Sequence, residues 1–149
     1  MKLTRVLFCS FAAALIAAPA LAALGGGASS VAADSAHMKG TVRVSPQANF
    51  TVHEIETSAG IVVHEYLSLD DKVFAVSWRG AGIPDLRQLL GSYYGSFEQA
   101  ASTTTHNHHN LAVQTPDVVV QSSGHTRAFS GRAWAPALLP QNFSPNDIN

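Results

Sequence analysis

The chain has 149 residues, 46% of them hydrophobic and 13% charged, with nine basic and ten acidic side chains and one cysteine. Near-neutral charge without a basic run excludes a nucleic-acid footprint and a polybasic membrane-surface helix. A lone Cys9 excludes a disulfide framework and a cysteine-ligated zinc.

The first 22 residues read as a secretory leader. Lys2 and Arg5 are followed by an uncharged apolar run from Val6 to Ala18, then Pro19 and the small-x-small site Ala20-Leu21-Ala22. The run is too short to span a membrane and has no stop-transfer flank. Cys9 comes too early for lipoprotein processing and follows the bulky Phe8. Removing 22 of the 149 residues leaves 127, enough for one domain with its own core. The leader holds two of the nine basic residues and none of the ten acidic ones, so the remainder carries seven against ten, a net charge of −3. It has no cysteine and relies on packing alone.

Residues 23–40 are small and glycine-rich, with Gly25-Gly26-Gly27 lacking the strand and Gly-Lys-Ser/Thr of a phosphate loop. They read as a flexible segment with a brief helical turn at most. Thr41–Val44 alternates as a short edge strand, stopped by Pro46. Phe50–Thr57 and Ile61–Leu67 are stronger strands, rich in β-branched and aromatic residues. The Ser58-Ala59-Gly60 loop places a glycine where a three-residue hairpin needs a left-handed residue. That loop sets His53 opposite Glu65 and Glu54 opposite His64, one opposite-charge pair on each side of the ribbon. A two-residue loop would set Glu54 against Glu65, which is repulsive. Leu69–Lys72 is a second tight turn. Val73–Trp78 follows, apolar enough to be central.

Pro84 then suits the first position of a helix and Asp85 its positive first turn. Leu86, Leu89, Leu90, Tyr93, Tyr94 and Phe97 recur at helical spacing and predict one amphipathic helix. Gly91 and Gly95 weaken it or kink it. Ser102–Asn110 is a low-complexity loop. Leu111–Val113, Asp117–Ser122 and Arg127–Ala133 read as further strands, with Trp134 at the end of the last. Residues 141–149 read as a frayed tail.

The combination of Ala23-Leu-Gly-Gly26, VFAVSWRG at 73–80, PDLRQLLGSYY at 84–94 and GHTRAFSGRAWAPALLP at 124–140 resembles a family of exported Gram-negative bacterial proteins, the DUF2844-type domain of unknown function. The resemblance covers essentially all of the chain after the leader. It implies periplasmic or secreted placement and one domain type, and brings no catalytic or binding residues with it. Trp134 stands where a tyrosine would be expected, and Asp71 where a turn glycine would be usual.

For chemistry, His106, His108 and His109 are the obvious metal candidates, but H-x-H-H in a Thr/Asn loop fixes no ligand geometry. His37 adds nothing to them. The His53/Glu65 and Glu54/His64 pairs face opposite ways, cannot share a pocket, and read as surface or sheet-edge ion pairs. No nucleophile elbow is present. Trp78, Arg79, Tyr93, Tyr94, Arg132 and Trp134 form the aromatic and arginine set that binding surfaces use.

These features predict an α+β fold: an antiparallel sheet of five or six strands with one main helix on one face. The leader occupies 1–22, the flexible segment 23–40, a single domain 41–140 and the tail 141–149. Trp134 is expected to pack against the Leu89/Tyr93 side of the helix. The function read is a non-enzymatic exported module binding a cell-envelope protein or ligand, with no cofactor. A small periplasmic hydrolase or metal-dependent enzyme is the alternative.

Overall fold

The computed structural model describes residues 24–104 and 110–149. Seven strands form one antiparallel sheet: β1 (Gly40–Pro46), β2 (Phe50–Thr57), β3 (Ile61–Ser68), β4 (Val73–Gly80), β5 (Asn110–Gln114), β6 (Val119–His125) and β7 (Ala128–Trp134). Their order across the sheet is β1-β2-β3-β4-β7-β6-β5. The sheet is therefore larger than the five or six strands expected. The two weakest segments, β1 and β5, both form because each needs a partner on one side only and becomes an edge. β4 is central, and its second neighbour β7 arrives from more than 50 residues on: Ala75 pairs with Trp134 and Arg79 with Ser130.

The hairpin register agrees with the reading: His53 faces Glu65 and Glu54 faces His64. Gly60 closes the loop at φ 74°, the left-handed place that the turn requires. The neighbouring turn uses Asp71 at φ 56° instead of glycine. Aspartate tolerates this conformation better than most residues. Its carboxylate Oδ1 accepts a hydrogen bond of 2.8 Å from the Ala28 N–H, at the start of a helix distant in sequence.

That helix, α1 (Ala28–His37), corrects the reading of 23–40 as flexible. Its small Ala and Ser residues let it lie close to the sheet. Leu24 and Val31 are buried in the core. Hydrogen bonds from Leu24 N to Leu89 O (3.0 Å), Gly25 N to Val73 O (2.7 Å) and Val73 N to Gly26 O (2.8 Å) fix the preceding strap. Gly27 permits the close approach here, since a Cβ there would meet the Asp71 carboxylate and main-chain oxygen.

The helical stripe is real, but the helix is not continuous. Pro84 lies outside it, and Asp85 is the N-cap, accepting from Arg87 N and Gln88 N. α2 (Leu86–Leu90) ends at Gly91, whose φ 51° and ψ −122° suit glycine alone. A 3-10 turn over Gly91–Tyr93 leads into α3 (Tyr94–Thr103). Leu89, Leu90 and Phe97 are still buried. Gly91 re-aims the stripe without exposing it.

Residues 141–149, read as frayed, are packed. Phe143 stacks edge-on against Phe74 and Phe50, with ring centroids 4.8 and 5.2 Å apart. Ile148 is buried. Two 3-10 turns, Pro136–Leu138 and Pro145–Asp147, fold this segment back over the sheet.

The two faces of the sheet thus have different covers. On one, Ile55, Val63, Val76, Trp78, Val120 and Ala133 pack with Leu24, Val31, Leu89, Leu90 and Phe97 from the helical side. On the other, Tyr66, Phe74, Ala75, Val119 and Trp134 pack under Leu138, Leu139, Phe143 and Ile148. Burying a side chain like Phe74 completely stabilises by about 1.5–3 kcal/mol. Trp134 lies on the face away from Leu89, which overturns the expected contact. Strand alternation decides it: Ala133 takes the helical side beside Val76 and Val120, so Trp134 must point the other way.

Candidate functional site

On the face away from the helices, the register lays side chains in rows across the strands. One row is apolar: Val52, Tyr66, Ala75, Trp134 and Val119. The next is polar: Arg43, Glu54, His64, Ser77, Arg132, Gln121 and Ala112. A third holds Thr41, Glu56, Val62, Arg79, Ser130, Ser123 and Asn110. The C-terminal segment covers the apolar row and stops at the polar one. Over the two polar rows lies an open cavity of about 440 Å³, with Ile148 and Asn149 forming one wall.

The polar row is a chain of hydrogen bonds. Arg43 Nη1 donates to Glu54 Oε1 at 3.2 Å, and Glu54 Oε2 lies 3.1 Å from His64 Nε2. The bond from His64 is the first cause that holds the Glu54 carboxyl below its ordinary range. His64 Nδ1 lies 2.8 Å from the Asn149 main-chain oxygen. Both ring nitrogens therefore face acceptor oxygens. Ser77 Oγ and Tyr66 OH donate to that same Asn149 oxygen at 2.5 and 3.0 Å, and Tyr66 OH accepts from Asn149 N at 2.9 Å. Three donors converge on one oxygen. Ser77 and His64 thus share an acceptor and do not bond each other, so Ser77 is not primed as a nucleophile.

Further along, Arg132 is pinned. Its Nε donates to Gln121 Oε1 and its Nη1 to Pro145 O, both at 2.9 Å, and its guanidinium lies 5.7 Å from the Trp134 ring centroid. The Arg79 side chain is exposed and makes no hydrogen bond or close ion pair among the described residues, though its charge is one of the lesser causes that lower Glu54. Among the described residues the lining contains these two arginines and His64 and no carboxylate side chain.

A second cluster lies beneath α1. Asp34 and Glu65 are both fully buried. Gln88 Nε2 donates to Asp34 Oδ1 at 2.5 Å, while Asp34 Oδ2 and both Glu65 oxygens receive no hydrogen bond from any other described group. Burial, then the charge of Asp34, push the Glu65 carboxyl up to about 9. Burial also raises Asp34, against the bond from Gln88. A proton carried by Glu65 toward Asp34 partners Asp34 Oδ2 with one Glu65 oxygen and leaves the other Glu65 oxygen unpaired among the described residues. Glu65 was read as an ion-pair partner of His53. It faces His53 across the strands but turns to Asp34, and burial lowers the His53 imidazole. The other pair, Glu54 with His64, does form.

The six residues singled out from sequence separate. Arg79 and Arg132 meet in the cavity, with Trp134 buried under Arg132. Trp78 borders the cavity but is only 2% exposed. It lies across from Gly131, where any Cβ would collide with its ring. Tyr93 and Tyr94 stand on the helical side. Tyr93 borders a recess with Leu24 and Gly25, and Tyr94 stacks under Arg87 at 4.4 Å. His64, Ser77, Gln121 and Asn149 were missed. For the first two the signal was present, since Ser77 lies two residues before Arg79 on the same strand and His64 faces Ser77 on the neighbouring one. For Asn149 there was none. His106, His108 and His109 lie outside the described residues. Among the described residues no group of three or more His, Cys, Asp or Glu is placed to hold a metal, and no helix is long and apolar enough to cross a membrane.

No curated protein and no solved structure matches the chain. The model of one family, described as "Protein of unknown function (DUF2844)", matches residues 20–148, which span the whole sheet, both covers and the cavity rows. The chain belongs to that family.

Proposed function

We propose that this protein is an exported, non-enzymatic binding module of the cell envelope, and that its ligand enters the cavity over the His64–Ser77–Arg132–Gln121 row. The observation that carries the reading is that cavity: a rigid sheet floor, side chains held by mutual hydrogen bonds, and spare donors aimed at open space. Export is supported by the charged, apolar and small-residue sequence of residues 1–22. A hydrolase is less well supported, because His64 and Ser77 are both committed to the Asn149 oxygen.

The test has two arms. Intact mass of the protein recovered from the periplasm or medium should show a chain beginning at Ala23. A species that keeps Cys9 would sink the export claim. For binding, a melting-shift screen against envelope-derived peptides, glycans and small acids should find a ligand that stabilises the wild type. The groove-filling variant Ser130→Trp should lose the shift. A shift unchanged in that variant would move the site elsewhere.

A further inference from the structure

We infer that the cavity takes a small ligand through an oxyanion group, a carboxylate or a phosphate, clasped between Arg79 and Arg132. This rests on the binding reading above and names the chemistry of its ligand.

The chain after the leader is net acidic, yet two of its seven basic side chains lie on adjacent strands of this one face. Arg79 and Arg132 are diagonal neighbours: Arg79 pairs with Ser130, and Arg132 with Ser77. Diagonal neighbours on a sheet face lie roughly 7–8 Å apart, and like charges at close cross-strand positions repel. Among the described residues no carboxylate side chain lines the cavity to offset them. Of the acids on their two rows, Glu54, on the row of Arg132, is already held by Arg43 and His64, and Glu56, on the row of Arg79, stands two strands away beyond Val62.

The donor count points the same way. A guanidinium has five N–H groups. The Arg132 guanidinium has donated two hydrogen bonds, to Gln121 and Pro145, and these with Trp134 fix its plane. Its remaining N–H groups and all those of Arg79 have no acceptor among the described residues. A planar fork of this kind matches carboxylate and phosphate oxygens. The Asn149 oxygen shows the same chemistry from inside the fold: one oxygen draws donors from Ser77, Tyr66 and His64 on the adjoining positions.

The experiment is a titration of the full exported chain, read by tryptophan fluorescence and by the arginine side-chain N–H signals in NMR. Trp78 and Trp134 both border the arginine pair and report on it. The probes are succinate, inorganic phosphate and, as a neutral control, N-acetylglucosamine. Saturable binding of succinate or phosphate is expected, weakening with added salt. Arg79→Gln should weaken it at least tenfold with an unchanged melting temperature, since Arg79 holds nothing in the fold. Arg132→Lys should weaken it too, because a point charge cannot replace the pinned fork. A preference for succinate assigns the carboxylate, and a preference for phosphate the phosphate. If neither anion binds, or Arg79→Gln binds as tightly as the wild type, the inference is overturned. Binding of the neutral sugar alone, lost in Ser130→Trp, would overturn the anion chemistry and leave the groove reading standing. Failure of every probe together with an unproductive ligand screen would remove both.

Discussion

Replacing Glu65 by glutamine should remove a built-in pH dependence of stability. The folded pair keeps one proton on Glu65 because two ionised carboxyls cannot share the buried space under α1. In the unfolded chain Glu65 returns to its ordinary value of 4.5, against about 9 in the fold. A carboxyl raised in this way gives its full stabilisation below the unfolded value and loses it progressively as pH rises to the folded one. One retained proton corresponds to a slope of about 1.4 kcal/mol per pH unit. His53, lowered by burial, has the opposite sign, losing stability as pH falls below its ordinary 6.5. Glu54, also lowered, acts at still lower pH. The window from about pH 7 to 8.5 therefore isolates the Asp34–Glu65 pair, and the loss of its one proton across it is about 2 kcal/mol. With a urea dependence of about 2 kcal/mol per molar, the midpoint should fall by about 1 M. Glu65→Gln keeps the volume, offers an amide N–H to Asp34 and has no proton to lose. Its midpoint should stay flat over the same window. Gln88 and His37, which also act on Asp34, are left intact. A wild-type midpoint that does not move, or a variant that falls as steeply, would refute the shared proton.

Other outcomes follow from single contacts. Gly131→Ala should cost about 1–3 kcal/mol by thermal melting, because its methyl would enter the space of the buried Trp78 ring. Asp71→Ala should cost about 1–2 kcal/mol, losing the Ala28 cap while keeping a strained φ; Asp71→Gly, which removes the strain, should cost less. Trp134→Ala should cost about 3–5 kcal/mol. Combined with Leu89→Ala it should be additive in urea melts, since the two sit on opposite faces. Combined with Ile148→Ala it should not be.

Much of the sheet was legible because its signals are local. The β2–β3 register followed from a three-residue loop and two charge pairs, both within a span of 16 residues. The pairing of β4 with β7 had no such signal. It depends on where the chain returns after α2 and α3, and it alone decides that Arg79 and Arg132 become neighbours. The face of Trp134 could have been reasoned once that pairing was known, since Ala133 beside Val76 leaves it one direction only. The N-terminal helix was hidden by composition. Ala and Ser carry little hydrophobic pattern, and what holds α1 is remote: Asp71 at its start, Gln88 at its middle through Asp34. The tail was misread for a similar reason. Phe143 and Ile148 are isolated apolar residues among polar ones, and only an aromatic row already waiting on the sheet gives them a place.

The location of the groove follows from how far each cover reaches. The helical face is wide and apolar, and α1, α2 and α3 close it. The other face is apolar on one row only, and a short segment after Pro136 is long enough to cover that row and no more. Where Ile148 ends the apolar contact, Asn149 meets the first polar row, and its main-chain oxygen is taken by His64, Tyr66 and Ser77. Polar residues on a solvent-facing sheet need no further explanation when they are scattered and mixed in charge. Here they are ordered. Glu54 is held by Arg43 and His64 on one side, the two arginines have no carboxylate side chain bonded to them among the described residues on the other, and one guanidinium is held by three groups. A fold that only needed a soluble surface would gain by setting an acid opposite Arg79, at the position Ser130 occupies. Leaving that place to a serine keeps the clasp open, which is what a ligand site requires and stability alone does not.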